Sequence, residues 1–132
     1  MRLGSCGSSR ARRSLQKQRK EKRVQTIHGT AELERCKQGA ALLLFGGEAC
    51  GVCRALKPQL EAMLANEFPA LEGYYLDCQG QASALCAQEG VFSLPVVQVW
   101  FDGRKFADFG RVFSLGQVRE AIARPYRMAF GS

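Results

Sequence analysis

Histidine is nearly absent from this 132-residue chain, with His28 its only representative, so one side chain alone has an ordinary pKa close to neutral pH. Long apolar runs are missing as well. No stretch approaches the roughly 18 apolar residues of a membrane span, and no membrane association is expected. The basic N-terminal segment lacks the continuous apolar core of a cleaved secretory signal. The expected setting is therefore cytoplasmic. No internal repeat is apparent, and the length suits one domain with its own core and is short for two.

Acidic residues are scarce at the start of the chain. Met1 to Arg23 holds nine Lys or Arg against Glu21 alone, whereas the remainder holds ten against eleven acids. The formal charge of +7 thus belongs to an arm, residues 1–23, that is rich in Ser, Arg, Lys and Gln and is expected to be disordered. A folded domain is expected over 24–126, with 127–132 as a C-terminal tail. Aromatic residues do not interleave with the cations of the arm, which argues against base stacking and sequence-specific recognition of nucleic acid. The arm fits a plain solvated terminus, or an electrostatic tether to nucleic acid, a ribosome or an acidic protein partner.

Six cysteines are present: Cys6, Cys36, Cys50, Cys53, Cys78 and Cys86. Their irregular spacing, in a chain with 46% hydrophobic residues, fits a reducing compartment better than a disulfide-stapled secreted scaffold. There is no second C-x-x-C. A zinc or iron–sulfur site built from Cys50, Cys53, Cys78 and Cys86 is accordingly a poor reading, and no metal or organic cofactor is expected. Cys36 reads as core, and Cys78 and Cys86 read as small packed hydrophobes.

Hydrophobic periodicity outlines the elements. Val24 to Ile27 suggests a short strand and Thr30 to Gln38 a helix closed by Gly39. Ala41 to Phe45 is continuously apolar, as in a strand buried on both faces. Leu56, Leu60, Met63, Leu64 and Phe68 recur at helical spacing, with Pro58 expected to kink the helix. Tyr74 to Leu76 reads as a strand, Gln81 to Glu89 as a helix ended by Gly90, and Val96 to Phe101 as a strand whose core includes Trp100 and Phe101. Asp102-Gly103 signals a hairpin to Lys105–Phe109, and Ser114 with Gln117 forms a capping-box start for a last helix stopped by Pro125. The order βαβαβαββα implies an α/β fold: a three-layer α/β/α sandwich around a mixed sheet.

The pair Cys50-Gly51-Val52-Cys53 falls where the apolar strand gives way to the amphipathic helix. Unpaired N–H groups and the positive end of the helix macrodipole meet at such a junction and stabilise a thiolate. Lowering a thiol pKa from about 8.5 toward neutrality raises the fraction of the species that attacks disulfides. Cys50, at the exposed helix start, is the expected nucleophile. Cys53, almost one turn further in, is the expected resolving thiol.

This arrangement resembles thioredoxin over roughly Val24 to Tyr126. The resemblance is carried by Phe45-Gly46-Gly47-Glu48-Ala49 leading into the dithiol, by Pro58, Tyr75-Leu76-Asp77, Gly90-Val91-Phe92-Ser93-Leu94-Pro95 and Phe101-Asp102-Gly103, and by Gly110. It implies a cis peptide bond before Pro95, and a substrate groove formed by Gly51, Val52, Leu94 and Pro95, in which Leu94 offers its backbone to an extended segment and Gly110 leaves room. It further implies a protein-disulfide reductase restored by a thioredoxin reductase or a low-molecular thiol, with no bound cofactor, and, because Cys78 and Cys86 are similar to extra cysteines in some eukaryotic thioredoxins, offers a second, regulatory disulfide as the alternative to two packed hydrophobes.

Departures from the family pattern are equally specific. Ala49 stands where the family usually has Trp, and Val52 where it has Pro. The family's buried Asp aligns with Leu44 and its Lys partner with Gly73, while Glu48 is the nearest carboxyl in sequence. His28 lies far from the motif. A dithiol without these groups is expected to be atypical, and a thioredoxin-fold binding or chaperone-like module with a vestigial dithiol is the rival reading.

Overall fold

A computed structural model of the chain describes residues 23–131; the expected arm therefore lies outside the described residues except for Arg23. The elements are β1 (Gln25–Thr26), α1 (Thr30–Gln38), β2 (Ala40–Gly46), α2 (Gly51–Glu67), β3 (Glu72–Asp77), α3 (Ser83–Gln88), β4 (Val96–Phe101), β5 (Arg104–Gly110) and α4 (Leu115–Phe130). Their order is the one expected. The strands form one sheet in the order β1-β3-β2-β4-β5. β3 is parallel to both β1 and β2, whereas β4 is antiparallel to both β2 and β5.

The three layers follow from the two-residue period of a strand. In β2, Leu42 and Leu44 point to one side, where they pack with Leu56, Leu60, Met63 and Leu64 of α2 and with Val118 and Ile122 of α4. Ala41, Leu43 and Phe45 point to the other, against Leu33 of α1 and Leu85 and Cys86 of α3. Five successive side chains, Ala41 to Phe45, are fully buried, and each leucine so placed is worth about 1.5–3 kcal/mol relative to exposure. A continuously apolar run thus serves both faces of the sheet.

Local signals set the boundaries. The Ser114 hydroxyl accepts from Gln117 N–H at 3.1 Å and the Gln117 amide oxygen accepts from Ser114 N–H at 2.8 Å, so the capping box starts α4 as expected. Asp102 and Gly103 take φ of 53° and 81° in the hairpin, the left-handed pair that a type I′ turn requires. The buried Lys37 of α1 is satisfied by Glu89 at 2.8 Å and by the Trp100 ring at 4.7 Å.

One boundary differs from expectation. Pro125 does not stop the last helix, which continues to Phe130, so residues 127–130 form its last turn rather than a tail. A proline fixes φ near the helical value but removes one N–H donor. Packing offsets that loss: Tyr126 lies edge-on to Phe68 with centroids 5.1 Å apart, its hydroxyl accepts from Ala70 N–H at 2.9 Å, and its ring meets Phe130 at 4.9 Å. α2 likewise runs through Pro58 as one helix.

Because tertiary contacts hold α4 through Pro125, the proline should be a net burden on stability. Pro125→Ala is expected to raise the urea unfolding midpoint, with a gain of up to about 3 kcal/mol from restored helix propensity. A lowered midpoint would show that the proline ring itself supplies packing that the helix needs.

Candidate active site

The register of the sheet gathers the site residues predicted from sequence. Phe45 of β2 is opposite Val96 of β4, and Val96 is opposite Gly110 of β5. The residues just beyond this row are the β2–α2 connection on one strand, Leu94 and Pro95 on the next and Arg111 on the third. All therefore lie at one end of the sheet. Arg111 N–H donates to the Pro95 carbonyl at 2.7 Å, joining two of these segments directly. The Leu94–Pro95 peptide is cis, as the sequence resemblance implied.

Cys50 and Cys53 are joined by a disulfide with Cα atoms 5.2 Å apart. Cys50 is the N-cap of α2, in extended conformation, and its sulfur accepts from Cys53 N–H at 3.2 Å. That sulfur thus faces an orphan donor of the first helical turn, where negative charge is favoured. Exposure separates the two thiols: Cys50 is half-buried, whereas Cys53 is 1% exposed. Gly51 and Val52 between them are both exposed.

Packing around Cys53 explains nearby residue choices. A Cβ on Gly46 would sit 3.1 Å from Cys53 Cβ and 3.1 Å from Tyr75 Cε1, so a side chain at the end of β2 would crowd Cys53. Leu44 is fully buried in the cluster shared with α2 and α4. A Cβ on Gly73 would meet Leu64 and Val24 at 2.8 Å. Leu44 thus stands in wholly apolar surroundings, and a side chain at Gly73 would press on Leu64 and Val24. Tyr75 instead lines this region, with the Lys57 ammonium 4.8 Å above its ring centre. Burial, then the Asp77 and Glu48 carboxylates, push the Tyr75 phenol above its ordinary value.

Other cysteines resolve differently. Cys78 and Cys86 form a second disulfide, Cα atoms 5.6 Å apart, between the end of β3 and α3. Cys36 is a free thiol and only half-buried, so it is less a core residue than the sequence suggested. Burial raises its pKa, and it neighbours Tyr74, whose own phenol burial lifts to about 12. His28 is exposed and bonds Gln81 at 3.0 Å. Among the described residues no group of His, Cys, Asp or Glu is arranged to hold a metal ion.

Sequence reasoning missed other features of the connections at this end of the sheet. Gln79 accepts from Ala49 N–H at 2.8 Å. Phe92 and Val112, on segments flanking Pro95, are 82% and 91% exposed. Neither feature has a spacing signature: Gln79 is brought in by the turn after β3, and exposed apolar residues in connections carry no periodicity.

A mixed sheet of this order, with a disulfide-bonded C-x-x-C at the start of the helix after the central strand and a cis proline opposite, defines a thioredoxin-fold dithiol protein. No family model matches the chain. Thioredoxin-like 3-2, chloroplastic, of Arabidopsis thaliana is 35% identical over 77 residues, which cover 55% of this chain and 40% of the plant protein. Thioredoxin-like protein YdfQ of Bacillus subtilis (strain 168) is 29% identical over 82 residues, covering 62% of this chain and 71% of the bacterial one. The X-ray structure of Fasciola hepatica thioredoxin superposes with a TM-score of 0.67 at 28% identity, covering 76% of this chain and 98% of that one. The match thus spans less than half of the plant relative and most of the other two. The chain is thioredoxin-like in sequence and in fold.

The two adjacent β3 tyrosines carry a pH dependence with a definite sign. Both folded pKa values are raised, Tyr74 to about 12. Their contribution is fully present below the unfolded value of about 10 and is lost as pH rises through the folded values, because only the unfolded chain then ionises freely. Urea unfolding is expected to show stability falling from about pH 10 upward, with a smaller fall in Tyr74→Phe. An equal fall in that variant would assign the effect elsewhere.

Proposed function

We propose that the chain is a thiol–disulfide oxidoreductase working as a protein-disulfide reductase. The observation that carries this reading is the asymmetry of the Cys50–Cys53 pair: one sulfur half-exposed at the N-cap of α2 and the other buried behind it. In the reduced protein the Cys50 thiolate attacks one sulfur of a substrate disulfide, and the other substrate sulfur leaves as a thiolate that takes up a proton. Cys53, deprotonated, then attacks Cys50 Sγ in the mixed disulfide. The second substrate sulfur departs and the Cys50–Cys53 bond forms, so the substrate has gained two electrons and the protein has lost them.

An extended substrate segment fits beside the cis Leu94–Pro95 bond. Leu94 supplies backbone hydrogen-bonding groups, Gly51, Val52 and Pro95 shape the groove, and Gly110 leaves room beside it. A thioredoxin reductase or a low-molecular thiol supplies the electrons that restore the dithiol. Cysteine usage supports action in a reducing compartment, the cytoplasm in this reading. The residues of the 1–23 arm contribute electrostatic attraction to an acidic or nucleic-acid partner. Leu44 and Gly73, which replace the family's ion pair, support slower deprotonation of Cys53 and a narrower set of substrates.

The decisive test follows reduction of insulin disulfides with a thiol reductant in excess. Cys50→Ser is expected to reduce turnover to background, and Cys53→Ser, reduced beforehand and mixed with insulin after the reductant is removed, to accumulate a stoichiometric mixed disulfide through Cys50. Turnover that survives Cys50→Ser would sink this mechanism. A partner retained by Cys50→Ser protein, with no turnover in the wild type, would favour the binding-module reading.

A further inference from the structure

The backbone that carries Cys50 into α2 has few internal anchors. Between Gly47 and Cys50 it makes one turn bond, from Cys50 N–H to the Gly47 carbonyl at 3.1 Å. The other anchor comes from outside the connection. Gln79 Oε1 accepts from Ala49 N–H at 2.8 Å, and the same side chain lies across Gly47, where a methyl group would overlap its Cγ, Cδ and Oε1. Gly47 is outside the left-handed region of φ, so its missing side chain answers a need for space. Gln79 occupies that space.

The seat of Gln79 is itself fixed. Its N–H donates to Asp77 Oδ1 at 3.1 Å, the preceding Cys78 N–H donates to the Gly46 carbonyl at 2.8 Å, and Cys78 is bonded to the buried Cys86. An exposed side chain on a firmly held turn therefore reaches back over the β2–α2 connection.

We propose that Gln79 is a positioning residue for Cys50: by bonding Ala49 N–H and covering Gly47, it holds the Ala49–Cys50 backbone in the extended conformation that makes Cys50 the N-cap of α2. The inference rests on the proposed function only in taking Cys50 as the attacking thiol. Cys50 has φ −92° and ψ 102°, and its sulfur meets Cys53 N–H. Rotation of the Ala49–Cys50 backbone away from these values carries the sulfur off that donor. Without the Gln79 anchor the reduced chain samples such conformers, and the thiolate loses part of its stabilisation.

The test measures thiol chemistry directly. In the reduced full-length protein, the rate of iodoacetamide alkylation at Cys50 is followed against pH by mass spectrometry for wild type, Gln79→Ala, Gln79→Met, Gly47→Ala and Gln79→Ala/Gly47→Ala. Loss of an N-cap worth about 1 kcal/mol corresponds to about fivefold in thiolate population. Gln79→Ala is expected to lower the neutral-pH rate by about this factor and to move the titration midpoint to higher pH. Gln79→Met, which keeps the length but has no amide oxygen, should match it. Gly47→Ala should reproduce the same shift, because its methyl evicts the Gln79 side chain, and the double variant should be no worse than either single. Unchanged profiles in both single variants, or losses that add in the double, would overturn the proposal. Insulin reduction by the wild type is measured alongside: its absence would end the reductase reading while the alkylation profiles still decide the role of Gln79.

Discussion

Burial of β2 on both faces is the constraint on which the rest of this structure depends. Ala41 to Phe45 supply side chains to two separate cores, so the strand must sit between β3 and β4 with helices above and below. A strand held from four directions has a fixed end. The C-terminal end of β2 is where the chain turns into α2, and the dithiol inherits the position of that turn. Gly46 and Gly47 then allow two close approaches there: Cys53 and Tyr75 on one glycine, and the Gln79 side chain on the other.

The chemistry of the pair follows from this placement more than from special side chains. Cys50 faces the open donors of the first turn of α2, while Cys53 is pressed against the end of the sheet. What is missing beside Cys53 is also a packing result. Leu44 completes the apolar layer under α2, and Gly73 packs closely under Leu64 and Val24, which a side chain there would displace. An apolar layer at this position strengthens the core, and among the described residues no buried carboxylate stands beside Cys53. Tyr75 and Lys57 occupy the neighbouring space, and a phenol with a raised pKa does not act as a base at neutral pH. Stability and proton transfer are in competition at the same residues.

The turn between β3 and α3 gives the site a second support. Cys78 is tied to Gly46 through the backbone and to Cys86 through sulfur. Gln79 follows it directly and bonds the residue before Cys50. Two disulfides thus lie on either side of one short path of hydrogen bonds. The distance between them in sequence hides this connection entirely, because it passes through the pairing of β2 with β3.

Much of the fold was legible before any coordinates. Strand and helix periodicity, the capping box at Ser114 and the turn at Asp102-Gly103 are local signals, and each acts where the sequence places it. The placement of the Cys50–Cys53 motif was legible for the same reason: it sits at the start of a helix, which spacing reveals. Pro125 was misjudged because a local rule met a nonlocal force, the packing of Tyr126 on Phe68 and its bond to Ala70. The sequence alone determined which elements exist, which strand is central and which two thiols lie at the start of a helix. Only tertiary structure decided that α4 continues past its proline, that Cys78 meets Cys86, that Gly73 packs under Leu64 and Val24, and that Gln79 reaches Ala49. These contacts join residues far apart in the chain, and their geometry arises only when the sheet sets its register.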